Sequence, residues 1–315
     1  MILLFGLPAD APMTMVHAEL VGHQHAAVLV DQREILNMEV DVTFGPDVSG
    51  MLRIGEQVID LESVTAVYLR SYGLDQLPPL RGLDRNSPQW LHAVYVNDTI
   101  SAWTELTSAL VVNRLSTMAS NGSKPFQAHI IEAHGFATPD TLVTTDLDAV
   151  REFWLQHGAV IYKSISGVRS IINRLTAENA ARLADLHWCP TQFQQYVPGH
   201  DYRVHVVGEE TFATEIVSEA DDYRYAARKG QKATLRAWQL PPELAQRCIS
   251  LVRTLELPVA GIDLRYHPAG KWFCFEVNPS PAFSYYEHET GQPIAAAVAR
   301  FLAAGNAGNA GNQAK

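Results

Sequence analysis

The stretch Gly261–Phe283, GIDLRYHPAGKWFCFEVNPSPAF, decides how the rest of this chain is interpreted. Two runs rich in β-forming residues, GIDLRY and KWFCFEV, flank His267-Pro268-Ala269-Gly270, which predicts a β-hairpin with a four-residue loop. Acidic residues on a hairpin usually belong to a solvated surface. Here, however, the second strand carries large apolar side chains: Trp272, Phe273, Phe275 and Val277. The sequence therefore predicts a buried strand, in which a carboxylate needs a partner.

The register of this hairpin is predicted to bring oxygen-bearing side chains together. If Tyr266 pairs with Lys271, then Asp263 lies opposite Cys274. Because side chains alternate along a strand, one face then carries Asp263, Glu276 and Asn278. Two carboxylates and an amide oxygen suit Mg²⁺, which completes its coordination with water and substrate phosphates. Cys274 falls on the same face in this register, although a buried, inert thiol is the commoner role for such a cysteine.

The composition predicts a soluble protein with two or three lobes. The chain has 315 residues, of which 47% are hydrophobic and 18% charged. No apolar run is long enough to span a membrane, and MILLFGL at the start is predicted to be a β-strand, not a signal peptide. The three cysteines fit neither a disulfide framework nor a zinc site, which favours the cytoplasm. A net charge of −10 argues against a nonspecific nucleic-acid binder.

Hydrophobic periodicity divides the chain into an α/β protein with successive lobes. Residues 1–110 are predicted to form an N-terminal domain of strand, helix, strand and a β-rich insert, closed by the helix Gln89–Leu110. Residues 111–187 form a smaller unit, and residues 188–304 contain the hairpin. The Gly- and Asn-rich tail 305–315 is predicted to be disordered. No GxGxxG or Walker A sequence supports a Rossmann site or a P-loop.

With these pieces in order, the chain resembles the ATP-grasp superfamily, particularly RimK-like carboxylate-amine ligases and graspetide (microviridin-type) peptide ligases. The resemblance extends over about residues 111–303, through SKPFQ, VIYKSISG, FQQYVPGHDYRV, GIDLR, FEVNPSPAF and HETGQPI. It implies an ATP-grasp fold with an N-terminal pre-ATP-grasp α/β lobe, a small central lid lobe and a C-terminal antiparallel-sheet lobe. ATP would be clamped between two β-layers.

The resemblance also implies roles for individual residues. ATP is expected at Lys124, Lys163, Ser166, Gly167, Gln194, Gln195, Tyr196 and Val197. Two Mg²⁺ ions, with Mn²⁺ as the alternative metal, are expected at Asp263, Glu276 and Asn278, where Glu276 would bridge both ions. Arg203 is expected to face the transferred phosphoryl group and the acyl-phosphate; the alternative is a strand-surface arginine paired to Asp201.

Other segments are less decisive. Members of the family often carry Glu at the position of Gln195, and RimK-like members have several glycines where Ser164-Ile165-Ser166-Gly167 has one. Arg169 could supply charge there or contact substrate. Arg224 and Arg228, in the loop DDYRYAARKG, are hypothesised to bind the acceptor or its carboxylates, with a solvated loop as the equally weighted alternative.

The resemblance implies that ATP phosphorylates a substrate carboxylate and that an amine or hydroxyl then attacks the acyl-phosphate. The expected partners are a small carboxylate or peptide with its acceptor, and neither nucleic acid nor a membrane. A narrower alternative is a peptide macrocyclase, suggested by HETGQPI and EVNPSPAF. Two further alternatives are an ATP-binding regulatory protein without turnover and a kinase that stops at a phosphorylated hydroxyl. The sequence leaves open whether the chain forms a homo-oligomer.

Overall fold

The structure is a computed structural model that describes residues 1–45, 47–164, 172–218 and 233–305. Several of the residues singled out by sequence lie outside these ranges: Ser166, Gly167, Arg169, Arg224, Arg228 and the tail after Gly305. No helix within the described ranges is both long enough and apolar enough to cross a membrane.

The N-terminal part is built on a parallel sheet with strand order β2-β1-β6-β7. Its strands are β1 (Ile2–Gly6), β2 (Ala27–Asp31), β6 (Ala66–Arg70) and β7 (Leu110–Val112). β1 is buried at every position, as expected for a parallel strand covered on both faces. One face packs against α1 (Ala11–Gly22), and α2 (Pro88–Leu106) covers the other.

A small antiparallel sheet forms the predicted β-rich insert and packs against α2. Its strands, in the order β3-β4-β5, are β3 (Met38–Thr43), β4 (Ser49–Ile54) and β5 (Gln57–Asp60). The predicted helix Gln89–Leu110 ends earlier, at Leu106, because Leu110 is the first residue of β7. Arg114 donates hydrogen bonds to carbonyl oxygens of the helix end and the following turn, at Thr104, Thr107 and Ala109.

The central part contains a sheet with strand order β10-β9-β11-β8. Its strands are β8 (Thr141–Thr144), β9 (Val160–Ser164), β10 (Asn173–Arg174) and β11 (Thr191–Gln195). The helices α5 (Leu147–His157) and α6 (Ala177–Ala180) belong to the same part. Its core includes Val150, Val160 and Phe193. β11 lies after the predicted boundary at residue 187, yet it pairs with β8 and β9, which lie before that boundary. The domain boundaries stay a prediction.

The C-terminal part is an antiparallel sheet with strand order β14-β13-β12-β15-β16. Its strands are β12 (His200–Val207), β13 (Glu210–Ser218), β14 (Ala233–Trp238), β15 (Val259–His267) and β16 (Lys271–Asn278). The remaining α-helices of the described ranges are α3 (Leu115–Met118), α4 (Lys124–Ala133), α7 (Pro242–Thr254), α8 (Ser284–Thr290) and α9 (Ile294–Ala304). Residues of α4 and α7 share a core with one face of the sheet, and α9 packs against α1 of the N-terminal part.

The predicted hairpin is formed by β15 and β16, but its register differs from the prediction. His267 pairs with Lys271, and the loop has three residues, of which Gly270 has a φ of +80°. A three-residue loop with a left-handed glycine is a common hairpin connection, so the predicted four-residue loop was wrong by one position. Further along, a β-bulge between Asp263 and Leu264 shifts the register again.

The three-residue loop and the bulge together change the predicted cross-strand pairs. Asp263 lies opposite Glu276, and Leu264 lies opposite Cys274, so the predicted pairing of Asp263 with Cys274 was wrong. One extra residue in β16 at the bulge changes the alternation, because two residues then oppose one. Cys274 consequently belongs to the apolar core on the opposite side of the sheet from the carboxylates. The shared face of Asp263 and Glu276 is nevertheless as expected.

Candidate active site

The start of α4 is fixed on β16 by one buried side chain. β16 is an edge strand, so its outer backbone groups need partners. The Gln127 amide supplies both: its Nε2 donates to Val277 O at 2.9 Å, and its Oε1 accepts from Val277 N at 2.9 Å. Gln127 is 1% exposed, so these bonds form in a dry environment. The contact places Lys124, the first residue of α4, over the face of β16.

Two ion pairs lie side by side on this face. Lys124 Nζ pairs with Glu276 Oε2. Arg203 Nη1 on β12 donates to Asp263 Oδ1 at 2.6 Å. Because Asp263 and Glu276 are directly opposite each other in the ladder, the two carboxylates and their cations form one cluster. The structure thus brings together four of the residues that the sequence singled out.

Gly261 gives Arg203 the space it occupies. A Cβ atom at Gly261 would lie 2.2 Å from Arg203 Nη2 and 2.6 Å from Arg203 Cζ, closer than van der Waals contact allows. The guanidinium therefore lies directly over the β15 backbone at this glycine. The Tyr286 ring, 5.8 Å from Arg203 Cζ, packs beside the guanidinium. Arg203 is 5% exposed, which fixes its orientation toward Asp263.

The cluster keeps Glu276 ionised. Burial alone raises the pKa of this carboxyl, but nearby positive charges outweigh burial, and the pKa lies below its ordinary value. These charges belong to Lys124, Lys163 and Arg203. Lys163 lies in β9, opposite Gln192 of β11, and its positive charge helps to lower the pKa of Glu276 from the central sheet. The charges of both predicted ATP-binding lysines thus act on the same carboxylate.

Asn278 ends β16 opposite Gly261, two residues from Glu276 on the strand. Its Oδ1 accepts a hydrogen bond from Ser280 N at 2.9 Å. The described residues contain no group of three or more His, Cys, Asp or Glu side chains that could hold a metal by themselves. The available donors are two carboxylates and an amide oxygen, the small all-oxygen set typical of Mg²⁺ sites completed by water and phosphates. Asp263, Glu276 and Asn278 therefore fit Mg²⁺ that binds together with a nucleotide.

The predicted adenine-binding segment, Gln194–Val197, lies at the end of β11. Two of its backbone N–H groups serve the fold: Gln195 N donates to Asp140 O at 2.9 Å, and Tyr196 N donates to Ala159 O at 2.9 Å. A hydrogen bond from this segment to an adenine edge would therefore use its other backbone groups or the Gln195 side chain. That assignment stays a prediction.

Arg265 ties this segment to the C-terminal sheet. Its guanidinium binds both carboxylate oxygens of Asp201, with Nε to Oδ1 at 2.6 Å and Nη2 to Oδ2 at 2.9 Å. Its Nη1 donates to Val197 O at 2.7 Å. Asp201 is thus the partner of Arg265, and the alternative pairing of Arg203 with Asp201 was wrong. Arg203 pairs instead with Asp263, which leaves its guanidinium at the carboxylate cluster.

The cysteines near the site are buried. Cys274 is fully buried, and burial raises the pKa of its thiol well above the ordinary value. Burial likewise raises the pKa of Cys248 to about 12. A thiol in such surroundings stays protonated and is a poor nucleophile. The expectation of an inert Cys274 agrees with this environment.

Sequence reasoning did not assign a role to four residues that contact the strands and loops of the site: Gln127, Arg265, Arg70 and Asn113. Arg70 and Asn113 lie at the carboxyl ends of parallel strands, where functional side chains of α/β sheets commonly gather. A charged residue ending the apolar run AVYLR was therefore a usable signal. Gln127 is the last residue of the motif SKPFQ, but its contacts could not be predicted, because they are made with an edge strand more than a hundred residues away.

The comparisons with known proteins identify the family of this chain. The model of the RimK-like ATP-grasp domain matches residues 127–302, which include Gln127, Arg203 and the two carboxylates Asp263 and Glu276. The chain belongs to the RimK-like ATP-grasp family. Ser166 and Gly167 fall within the matched range but outside the described residues.

Curated relatives of this RimK-like chain match over less than half of its length. A probable alpha-L-glutamate ligase of Alkalilimnicola ehrlichii is 29% identical over 147 residues, 46% of each chain. A ribosomal protein bS6–L-glutamate ligase of Escherichia coli is 28% identical over 146 residues, again 46% of each chain. The match therefore spans about half the length of these relatives.

Solved ATP-grasp structures match nearly the whole chain. Macrocyclase MdnC of Microcystis aeruginosa, bound with precursor peptide MdnA, has a TM-score of 0.80 and 21% identity, covering 96% of this chain and 99% of its own. A RiPP-associated ATP-grasp ligase of Chryseobacterium gregarium, with ADP and a leader and core peptide, has a TM-score of 0.80 and 21% identity, covering 96% of each chain. The ligase PsnB, complexed with minimal precursor, Mg and ADP, has a TM-score of 0.76 and 25% identity, covering 96% of this chain and 97% of its own. The predicted ATP-grasp fold class is confirmed.

Proposed function

We propose that this RimK-like protein is an ATP-dependent ligase that activates a carboxylate as an acyl-phosphate and joins it to an amine or hydroxyl of a peptide substrate. The observation that carries the proposal is the cluster on β15 and β16. Two carboxylates, Asp263 and Glu276, face each other there and are surrounded by cations from three different elements. Such a cluster suits a polyanionic ligand that arrives with its own divalent cations.

Each cation in the cluster has a distinct task in this proposal. When ATP binds, Lys124 and Lys163 would interact with its phosphate oxygens in place of the Glu276 carboxylate. Arg203 would face the transferred phosphoryl group and the acyl-phosphate, because its permanently charged guanidinium offers several donors where negative charge develops. When bound, two Mg²⁺ ions would neutralise phosphate charge at Asp263, Glu276 and Asn278. The chain itself needs no covalent nucleophile, and Arg224 and Arg228 are proposed to bind the acceptor.

Glu276→Gln tests the proposal directly. We expect ADP release in the presence of peptide and carboxylate substrates to fall by about a hundredfold or more, because the amide cannot supply the carboxylate charge in the cluster. The circular dichroism spectrum should stay that of the wild type. Glu56→Gln, at the exposed turn between β4 and β5 of the N-terminal insert, serves as the matched control and should leave the rate unchanged. Wild-type turnover by Glu276→Gln would overturn the assignment.

A peptide macrocyclase is the second candidate. It is supported by solved structures that share the fold over 96% of this chain, among them the macrocyclase MdnC and the ligase PsnB complexed with its precursor. Mass spectrometry separates the two reactions. Intramolecular bonds between Asp or Glu and Ser, Thr or Lys of a precursor peptide remove one water per bond, whereas ligation of a free amino acid adds mass. Tight Mg-ATP binding without ADP from any substrate pool would support the regulatory alternative instead.

A further inference from the structure

The loop that follows β16 contacts the N-terminal sheet as well as the carboxylate cluster. It starts directly after Asn278, the last residue of β16 and a proposed metal ligand, and includes Pro279, Ser280 and Pro281. Its contacts reach the carboxyl ends of β6 and β7 in the N-terminal sheet. These contacts connect the N-terminal sheet to the loop that follows the proposed metal ligand.

Arg70, the last residue of β6, holds the far end of this loop. Its Nη1 donates to Ser280 Oγ at 3.1 Å and to Pro281 O at 3.2 Å. The other side of the guanidinium pairs with the carboxylate of Asp10, through Nε to Oδ2 and Nη2 to Oδ1. The side chains of Arg70 and Asp10 are each 9% exposed. Asp10 precedes α1 but makes no side-chain cap bond to that helix, so its carboxylate serves Arg70 instead.

Asn113, just after β7, holds the near end of the loop. Its Nδ2 donates to Pro279 O and to Val259 O, the latter at 2.7 Å. Its Oδ1 accepts from Val259 N at 3.3 Å. Asn113 is 3% exposed, so its amide connects the start of β15 to the end of β16 in the interior. The loop is thus bound at both ends by side chains of the N-terminal sheet.

A hydrogen bond between Ser280 and Asn278 links the loop to the proposed metal ligand. Ser280 N donates to Asn278 Oδ1 at 2.9 Å, which fixes the direction of the amide oxygen. A carbonyl-type oxygen has two acceptor sites, so one remains for a cation. A polar chain therefore runs from Asp10 through Arg70 and Ser280 to Asn278. Partners of this kind orient metal ligands and raise metal affinity.

We infer that Arg70 is a positioning residue of the metal site: its contacts with Ser280 and Pro281 hold Asn278 Oδ1 in the direction needed to bind a divalent cation beside Glu276. This inference rests on the proposed function, since it concerns the same metal site. The competing interpretation is that Arg70 and Asp10 only hold the two lobes together. That interpretation predicts a loss of stability without a specific loss of metal affinity.

Arg70→Lys distinguishes the two interpretations. Lysine keeps the positive charge beside Asp10, but a single ammonium cannot reproduce a planar fork with contacts on two sides. We expect the affinity of the full-length protein for Mn²⁺, measured by electron paramagnetic resonance in the presence of ADP, to fall about tenfold or more. Without metal, we expect faster hydrogen exchange in the segment that contains Ser280.

Two companion variants keep this test falsifiable. Ser280→Ala removes the Oγ acceptor of Arg70 but keeps the Ser280 N–H, so Mn²⁺ affinity should fall in the same direction by a smaller factor. Leu20→Ala opens a cavity in the fully buried core of the same lobe. It should lower the melting temperature at least as much as Arg70→Lys while leaving Mn²⁺ affinity unchanged.

The outcomes separate this inference from the proposed function. No Mn²⁺ binding by the wild type with ADP would overturn both. Wild-type affinity in Arg70→Lys and Ser280→Ala, with normal binding by the wild type, would overturn the positioning role alone. Equal losses of affinity in Leu20→Ala and Arg70→Lys would likewise reduce Arg70 to a structural tie between lobes.

Discussion

At Gly261, the close approach of Arg203 to the β15 backbone determines where its positive charge lies. The guanidinium occupies the space that a side chain at position 261 would fill, and from there Nη1 reaches Asp263 at 2.6 Å. Any larger residue must displace the guanidinium or the strand. Because backbone atoms of a central strand move little, the arginine should yield first.

We therefore expect Gly261→Ala to reduce turnover by about a hundredfold while the protein stays folded, since Arg203 would lose its orientation toward the developing charge. The measurement is ADP release with saturating ATP, together with a melting curve. Gly22→Ala is the matched control, because a Cβ at that position meets nothing within 4 Å. Undiminished turnover in Gly261→Ala would show that the position of Arg203 does not limit the reaction.

The sequence supplied the right residue types for the site but not all of their partners. Motif order singled out Lys124, Lys163, Arg203, Asp263 and Glu276, and the structure places their charges in one cluster. The pairing of Arg203 could not be deduced, because Asp201 and Asp263 are both acidic neighbours and only the cross-strand register separates them. The functional role of each residue stays a prediction.

At the scale of the elements, the position of α4 is determined by its hydrogen bonds to the edge strand β16. The Gln127 side chain satisfies the Val277 N–H and C=O as a neighbouring strand would. The side-chain amide thus takes the place of the backbone groups of a further strand. A helix can therefore lie beside the edge strand without leaving these groups unpaired. The arrangement keeps Lys124 over Glu276.

Gln127→Ala should destabilise the protein by about 2–4 kcal/mol, since it leaves a buried donor and a buried acceptor without partners. It should also weaken ATP binding, because the start of α4 is no longer held at the cluster. Urea unfolding and nucleotide titration give the two values. Gln57→Ala, on the exposed edge of β5, should change stability by less than about 0.5 kcal/mol. Comparable losses of stability in both variants would contradict a role of the Gln127 hydrogen bonds in holding α4 on β16.

The hairpin shows where periodicity stops being informative. Alternation predicted that Asp263 and Glu276 share a face, and they do. It also predicted that Cys274 shares that face, which was wrong because a bulge at Asp263 and Leu264 inserts one residue in β16. A bulge relieves a mismatch between two strands that are already packed, so it depends on the whole sheet.

For the molecule as a whole, the interior between the C-terminal sheet and α8 contains a buried histidine. His205 is 1% exposed, and neither ring nitrogen has a hydrogen-bond partner among the residues that the structure describes. Its ring packs against Tyr286 at 4.9 Å and Phe283 at 6.4 Å. Burial, together with the charge of Arg203, lowers the pKa of His205 well below its ordinary value.

The folded protein therefore keeps His205 neutral, whereas the unfolded chain takes up a proton near pH 6.5. The free energy of unfolding should fall as pH drops below about 6.5, by up to about 1.4 kcal/mol per pH unit from this residue. In His205→Leu, urea unfolding at pH 7.5 and 5.5 should show a smaller difference than in the wild type. The same replacement at the exposed His25 should not reduce that difference. An unchanged difference in His205→Leu would contradict a neutral buried histidine.

By itself, the sequence determined the family, the fold class and the identity of the charged residues at the site. These follow from local properties: apolar periodicity, the order of short motifs, and residue types suited to phosphate and metal. The tertiary structure alone decided the pairing of Arg203 with Asp263, the clamp of Gln127 on β16, and the contacts of Arg70 and Asn113 with the loop after Asn278. Each of these joins residues that are between 60 and 211 positions apart. Such contacts depend on how lobes and strands meet, and neither spacing nor composition encodes that in a form that can be read along one chain.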